Sequence, residues 1–188
     1  MVEKVKLRIA KKKKWYPIMA PAAFRNMELG ETLTDDIENL KGRKLSLNLF
    51  SLGVESRKQN ANISFIVDRI KDNKALTSVD SYFASPNFIR RAVRAGKDKI
   101  DCSYLCETSD KVKVKIKLFL ITSKKVTNSI TSSLRKQMKE FVEKEIKANS
   151  FDKNLDSILS SNLQKNLRNF LKKIYPLSVC EVKIFEKA

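Results

Sequence analysis

The order of hydrophobic patterns along the 188-residue chain predicts an α+β protein. Apolar and polar residues alternate over 45–49 and 112–120, with the two-residue period of half-buried β-strands. Between residues 127 and 174 the apolar residues instead recur at the spacing of amphipathic helices, and alternation returns over 179–185. Strands followed by helices and a returning strand are typical of α+β folds. We expect a mixed, largely antiparallel sheet or barrel-like core packed with helices, preceded by a basic extended arm.

Residues 1–24 are predicted to form that arm. Its first part ends in four consecutive lysines, Lys11, Lys12, Lys13 and Lys14. Adjacent like charges repel, so the segment is expected to be extended unless an anion neutralises it. Pro17 and Pro21 then exclude a regular helix and, because proline has no N–H group, argue against a central strand. Three aromatic residues are expected to hold the arm against the body: Trp15, Tyr16 and Phe24.

Residues 25–188 are predicted to form a single α+β domain. Residues 30–42, between two glycines, have the acidic character of a short linker. Strands are predicted over 45–49 and 63–67, joined by a hairpin or a longer loop, and a third strand over 77–84.

A short helix is predicted next, with Ser85 as its N-cap, Pro86 in its first turn and Gly96 as its C-cap. Its inner side is expected to carry four apolar residues, Phe88, Ile89, Ala92 and Val93. Its outer side carries three arginines, Arg90, Arg91 and Arg94. Arg90 and Arg94 are one turn apart and should share a face, which would contact either phosphates or the acids of a neighbouring protein.

The second half of the domain holds five predicted elements: strands over 100–106 and 112–122, helices over 127–148 and 155–174, and a last strand over 179–185. Ser160 and Ser161 are expected to divide the second helical stretch, because serine favours helix ends, and Pro176 stops it. One face of the second strand carries a row of lysines that is either solvated or bound to RNA: Lys111, Lys113, Lys115 and Lys117.

The charge of the chain points to a polyanionic partner. Lys and Arg total 39 against 21 for Asp and Glu, which gives a net charge of +18. So large an excess favours nucleic acid, an anionic membrane surface or an acidic protein. No stretch approaches the ~18 apolar residues of a membrane span. The lysine-rich beginning does not resemble a secretory signal, so a cytoplasmic location with no membrane partner is expected.

The residues that usually carry catalysis or metal binding are missing or isolated. Histidine is absent, which excludes histidine-dependent triads, and the four glycines build neither nucleotide-binding loop. Cys102, Cys106 and Cys180 fit no disulfide framework. On a strand Cys102 and Cys106 share a face with Ile100 and Tyr104, and we interpret them as small core hydrophobes rather than zinc ligands. No metal or other cofactor is therefore expected.

Several segments, in their order along the chain, resemble the small-subunit ribosomal protein three-Ae family of archaea and eukaryotes. They are Lys14-Trp15-Tyr16, Ala20-Pro21-Ala22-Ala23-Phe24, Leu40-Lys41-Gly42-Arg43 and Ile174-Tyr175-Pro176-Leu177. The resemblance covers about residues 11–187, and the end of the chain at Ala188 is similar to the archaeal type. It implies a β-rich α+β domain with a basic arm, and a structural component of the small subunit without a catalytic site.

The resemblance also implies a position on the platform near the messenger exit, with rRNA and neighbouring ribosomal proteins as partners and messenger RNA near the exit as a further candidate partner. Charge and resemblance together select candidate RNA-binding residues: Lys11, Lys12, Lys13, Lys14, Trp15, Arg25, Lys41, Arg43, Arg90, Arg91, Arg94, Lys124, Lys125 and Arg135. For Trp15, anchoring in the core is favoured over stacking on a base. The alternative function is a free-standing basic RNA-binding factor. An enzyme acting on nucleic acid is disfavoured because no acidic cluster could hold metal ions.

Overall fold

The computed structural model describes residues 12–53 and 60–188, and its elements confirm the α+β class. Within these residues the strands are β1 (Lys14–Met19), β2 (Glu28–Thr34), β3 (Lys44–Asn48), β4 (Ala61–Lys71), β5 (Lys74–Ala84), β6 (Lys99–Glu107), β7 (Lys113–Thr122) and β8 (Leu177–Lys187). The helices are α1 (Pro86–Ala92), α2 (Asn128–Ala148), α3 (Phe151–Leu159) and α4 (Asn162–Leu171). Short 3₁₀ turns occur at Ala22–Phe24 and Ile37–Leu40. The beginning of the predicted arm, up to Lys11, lies outside the described residues.

The strands form the mixed, largely antiparallel sheet that the sequence predicts. β1 pairs with β2, β5 with β8, β8 with β7, and β7 with β6, all antiparallel. The pairing of β1 with β5 is parallel. The chain divides into two compact units, Met1–Ser46 with Phe65–Val79, and Leu47–Ser64 with Asp80–Ala188. The boundary predicted at residue 24 stays a prediction.

The first unit is built around a small apolar cluster. Ile18, Leu40, Val67 and Ala75 are buried there. Four partly buried side chains pack against them: Tyr16, Leu29, Ile37 and Leu45. Phe24 is also buried, and its ring meets that of Phe65 edge to face at 5.4 Å between centroids. The expectation that Tyr16 and Phe24 hold the aromatic segment in place is therefore confirmed.

Two predictions about the first unit are wrong. Pro17 lies inside β1, where no internal strand was expected. The strand tolerates this proline because β1 pairs with β5 only at Ile18 and Met19, so Pro17 faces one partner strand rather than two. The predicted linker over 30–42 is instead occupied by most of β2 and by a 3₁₀ turn. Ile37 and Leu40 reach the core cluster whereas Leu33 is exposed, and these apolar residues are too widely spaced to show a strand period.

The second unit packs helices on a four-stranded antiparallel arrangement of β5, β8, β7 and β6. In it α2 contacts β6, α4 contacts β8, and α4 contacts both α2 and α3. Fully buried strand residues such as Ile116, Leu118 and Val182 form the core with Leu134 and Met138 of α2. The ring of Phe151, at the start of α3, stacks on Phe185 of β8 at 5.2 Å. Burial of this apolar surface is the main stabilising contribution to the unit.

Two further predictions about the second unit are confirmed. Ser160 ends α3, and Ser161 adopts a φ of 61°, which breaks the helical stretch before α4 begins. The three cysteines are free thiols, with Cys106 and Cys180 buried and Cys102 partly buried. Burial, reinforced by the nearby charge of Glu181, raises the pKa of the Cys180 thiol to about 12. A thiol held in its neutral form behaves as a small core hydrophobe.

Candidate nucleic-acid interface

The most exposed aromatic side chain of the first unit belongs to Trp15. Trp15 pairs with Leu33 in the β1–β2 ladder, and their side chains are 64% and 39% exposed. The interpretation of Trp15 as a core anchor is therefore wrong. Strand alternation explains the outcome: Tyr16 and Ile18 point into the core cluster, so their neighbour Trp15 points to the other face. An exposed indole ring is suited to stacking on a base.

The lysines before Trp15 are available to phosphates. Lys12, Lys13 and Lys14 are exposed, whereas Lys11 lies outside the described part of the chain. Lys14 is already part of β1, where it pairs with Thr34 of β2. Positive charge and an exposed ring thus follow one another directly along the chain.

Three other candidates of the first unit are exposed cations on turns. Arg25 follows the 3₁₀ turn Ala22–Phe24 with a left-handed φ of 59°. Lys41 and Arg43 flank Gly42, and the turn is held to β4 because the Gly42 N–H donates to the Val67 carbonyl at 2.9 Å. Arg43 Nη1 donates to Thr32 Oγ1 at 3.0 Å, which directs its guanidinium over β2. The Thr32 contact fixes the Arg43 guanidinium without neutralising it.

The three arginines around α1 do not share one helix face. The helix ends at Ala92 with an extended Val93 as its C-cap, so Arg94 lies beyond it and Gly96 is not the cap. Val93 is 42% exposed and does not pack inward, contrary to the prediction. Ile89, by contrast, is buried in a cluster with Phe119 and Ile121.

Arg90 and Arg91 serve different surfaces of the second unit. Arg91 Nη2 donates to Asn60 Oδ1 at 3.0 Å. Arg90 instead lines a groove of about 430 Å³ that also contains Lys183 and Glu186. The prediction that Arg90, Arg91 and Arg94 share one helix edge is therefore wrong, because neighbouring helix positions point about 100° apart and Arg94 is not helical. Contact of these arginines with an anion stays a prediction.

In the lysine row on β7 one lysine is ion-paired, and apolar residues continue the same face of the strand. Lys115 Nζ lies 3.2 Å from Glu186 Oε1, directly opposite it on β8. Farther along the same face Phe119 and Ile121 are buried beneath α1. Whether Lys113 and Lys117 contact RNA stays a prediction.

Lys124 and Lys125 are exposed on the turn between β7 and α2. The turn is well anchored, since the Val126 N–H donates to Asp98 Oδ2 at 2.8 Å and Thr122 Oγ1 donates to the Lys124 carbonyl at 2.7 Å. These bonds leave the two lysine side chains outside the turn. A rigid turn presents its cations at low entropic cost.

Arg135 is exposed on α2, and its carbonyl accepts a hydrogen bond of 3.1 Å from the Tyr104 hydroxyl of β6. Burial, above all, raises the pKa of that hydroxyl, so it keeps its proton and remains a donor. The bond ties α2 to the sheet and leaves the guanidinium of Arg135 outside.

One basic cluster was missed by the sequence analysis. Lys165, Arg168 and Lys172 line a single pocket beside α4. Their spacing of three and then four residues is the helical signal that could have found them. The apolar period of the same segment drew attention to its buried face instead.

The described residues hold no group of three or more Cys, Asp or Glu that could bind a metal ion. Among them, no helix combines the length and hydrophobicity that crossing a membrane requires.

The comparison with known families decides what this basic α+β protein is. The sequence matches the family described as the Ribosomal S3Ae family over residues 3–186. The chain belongs to that family. The resemblance predicted from the sequence is thereby confirmed. As a member of the Ribosomal S3Ae family it is a structural ribosomal protein and not an enzyme.

Related proteins match this S3Ae chain along most of its length. It is 27% identical over 172 residues to the small ribosomal subunit protein eS1 of Methanobrevibacter smithii, covering 92% of this chain and 89% of the relative. It is 29% identical over 170 residues to that of Haloquadratum walsbyi, with coverages of 90% and 80%. The protein of Methanopyrus kandleri is 28% identical over 177 residues, with coverages of 92% and 84%.

Proposed function

We propose that the protein is a structural constituent of the small ribosomal subunit that binds rRNA and supports translation in the cytoplasm. The observation that carries this proposal is the S3Ae family match over residues 3–186. The relatives named small ribosomal subunit protein eS1 support the choice of subunit. The resemblance of the sequence supports a site on the platform near the messenger exit, beside other ribosomal proteins.

The basic surface of the first unit supports contact with RNA backbone. Lys12, Lys13, Arg25 and Lys41 are exposed, and a net charge of +18 favours a polyanion over solvent. Such cations bind phosphates whatever the base sequence. Trp15 adds a ring for stacking, so this surface suits a non-helical or splayed RNA segment.

The groove beside Arg90 favours a ribosomal protein neighbour instead. Apolar side chains such as Phe83 contribute surface to it, and its polar lining holds two cations, Arg90 and Lys183. The carboxylate of Glu186, which also lines the groove, is paired with Lys115. An RNA backbone would leave the apolar wall unmatched, whereas an apolar side chain accompanied by an acidic residue fits both that wall and Arg90.

Sedimentation of the small subunit tests the proposed function. The tagged full-length protein is expressed in cells, and small subunits are pelleted through buffers of increasing salt. We expect the protein to remain with the subunit through a high-salt wash, because an assembled ribosomal protein is held by many simultaneous contacts. Complete release at moderate salt would favour the free-standing RNA-binding factor.

A further inference from the structure

α4 separates buried apolar residues from a row of cations. Its inner side is buried through Leu163, Leu167 and Leu171. Its outer side lines a pocket of about 340 Å³, which we call the α4 pocket, and the turn before β8 closes it. The lining residues are Lys165, Arg168, Asn169, Lys172, Pro176 and Leu177.

The charge of the α4 pocket has one sign. Three cations line it, and no carboxylate does so within the described residues. Cations three or four residues apart on a helix destabilise each other unless an anion lies between them. On α2, by contrast, a lysine is paired with an acid: Lys139 Nζ lies 3.8 Å from Glu143 Oε1.

Arg168 is held in place at the centre of the row. Its Nη2 donates to the Leu177 carbonyl at 3.0 Å, which links α4 to the start of β8. A guanidinium has five N–H donors, so this bond leaves others for a ligand. A positioned guanidinium binds phosphate oxygens with little further loss of entropy.

We propose that the α4 pocket binds phosphate groups of the RNA backbone. This inference rests on the proposed function, since it names one more place where the protein holds rRNA. Lys165 and Lys172 are seven residues apart, or roughly 10 Å along the helix axis. A phosphodiester chain can bring more than one negative charge along such a row, whereas a single acidic side chain would leave cations uncompensated.

The test measures binding of the full-length protein to naked small-subunit rRNA over a range of salt concentrations. The variant K165Q/K172Q removes two cations and leaves the Arg168 bond intact. The matched control, K136Q/K144Q, removes two cations from exposed positions of α2. Thermal unfolding of all three proteins confirms that each is folded.

We expect K165Q/K172Q to bind rRNA more weakly and to lower the slope of log K against log salt by about 1.4–1.8, since each of the two lost phosphate contacts contributes about 0.7–0.9. The control should change the slope by less than half as much. A pocket variant that matches the control would overturn the α4 pocket while leaving rRNA binding by the protein intact.

Two other results have distinct meanings. If the wild-type protein does not bind small-subunit rRNA at all, the proposed function fails, and the pocket assignment fails with it. If K165Q/K172Q binds naked rRNA normally but no longer joins small subunits, the pocket holds an acidic protein neighbour, and the phosphate assignment is wrong.

Discussion

Asp110 reaches across the sequence to hold the first turn of α3: its Oδ2 accepts a 3.0 Å hydrogen bond from the backbone N–H of Phe151, 41 residues away. The first N–H groups of a helix have no partner within it, and an N-cap side chain usually supplies one. Ser150 occupies the N-cap position of α3 but makes no such bond. The turn before β7 therefore supplies the cap.

Asp110→Ala should reduce the free energy of unfolding by about 1 kcal/mol, the usual contribution of a helix cap. Urea unfolding followed by far-ultraviolet circular dichroism measures the change. Asp110→Asn keeps an oxygen acceptor and should lose less. Equal losses of stability in the two variants would show that the side-chain oxygen at position 110 is not what stabilises α3.

Trp15→Ala should leave stability within about 0.5 kcal/mol of wild type, because exposed side chains contribute little to folding. It should nevertheless weaken binding to small-subunit rRNA, since one base loses its stacking partner, which contributes about 1–3 kcal/mol. Phe24→Ala is the contrasting variant: Phe24 is buried against Phe65, so we expect a loss of about 3–5 kcal/mol in stability. Strong destabilisation by Trp15→Ala would restore its interpretation as a core anchor.

Arg90→Glu and Arg94→Glu should have different effects, because the two residues do not share a helix face. Arg94→Glu is expected to weaken binding to naked rRNA. Arg90→Glu should leave that binding within twofold but reduce incorporation into small subunits, since Arg90 lines the groove that suits a protein neighbour. Filter binding and subunit sedimentation separate the two effects, and identical behaviour of both variants would contradict the assignment.

The stability of the protein should fall as the pH rises above about 9. An unfolded thiol releases its proton near the ordinary pKa of 9.0, whereas burial raises the pKa of Cys180 to about 12. Between those values the folded state binds more protons than the unfolded state, so stability decreases with pH.

In Cys180→Ala the free energy of unfolding should decline less steeply with pH than in the wild-type protein. The difference in slope should reach up to about 1.4 kcal/mol per pH unit, which is the effect of one proton. Unfolding of both proteins from pH 7 to 11 measures the difference in slope, with the interval below pH 8 as the internal control. Parallel curves throughout the range would show that Cys180 does not hold its proton in the folded state.

Strong local patterns allowed most of the second unit to be predicted. β7 and α2 were identified from several consecutive apolar repeats, and the break between α3 and α4 from Ser160 and Ser161. β2 was missed because its few apolar residues show no period, and it forms a strand only where β1 supplies a ladder. The length of α1 was overestimated, since Gly96 offered a plausible cap but the apolar face ended at Ala92.

Sequence reasoning was sufficient for the α+β class, the excess of positive charge and the motifs of the ribosomal family. These properties follow from residue type and local spacing, which the chain carries before it folds. Which side chains meet depends instead on the folded chain, which exposes Trp15 opposite Leu33, separates Arg90 from Arg94, and bonds Arg168 to the Leu177 carbonyl. Strand register, helix ends and contacts between distant segments depend on which apolar surfaces are buried together, and no local pattern specifies that choice.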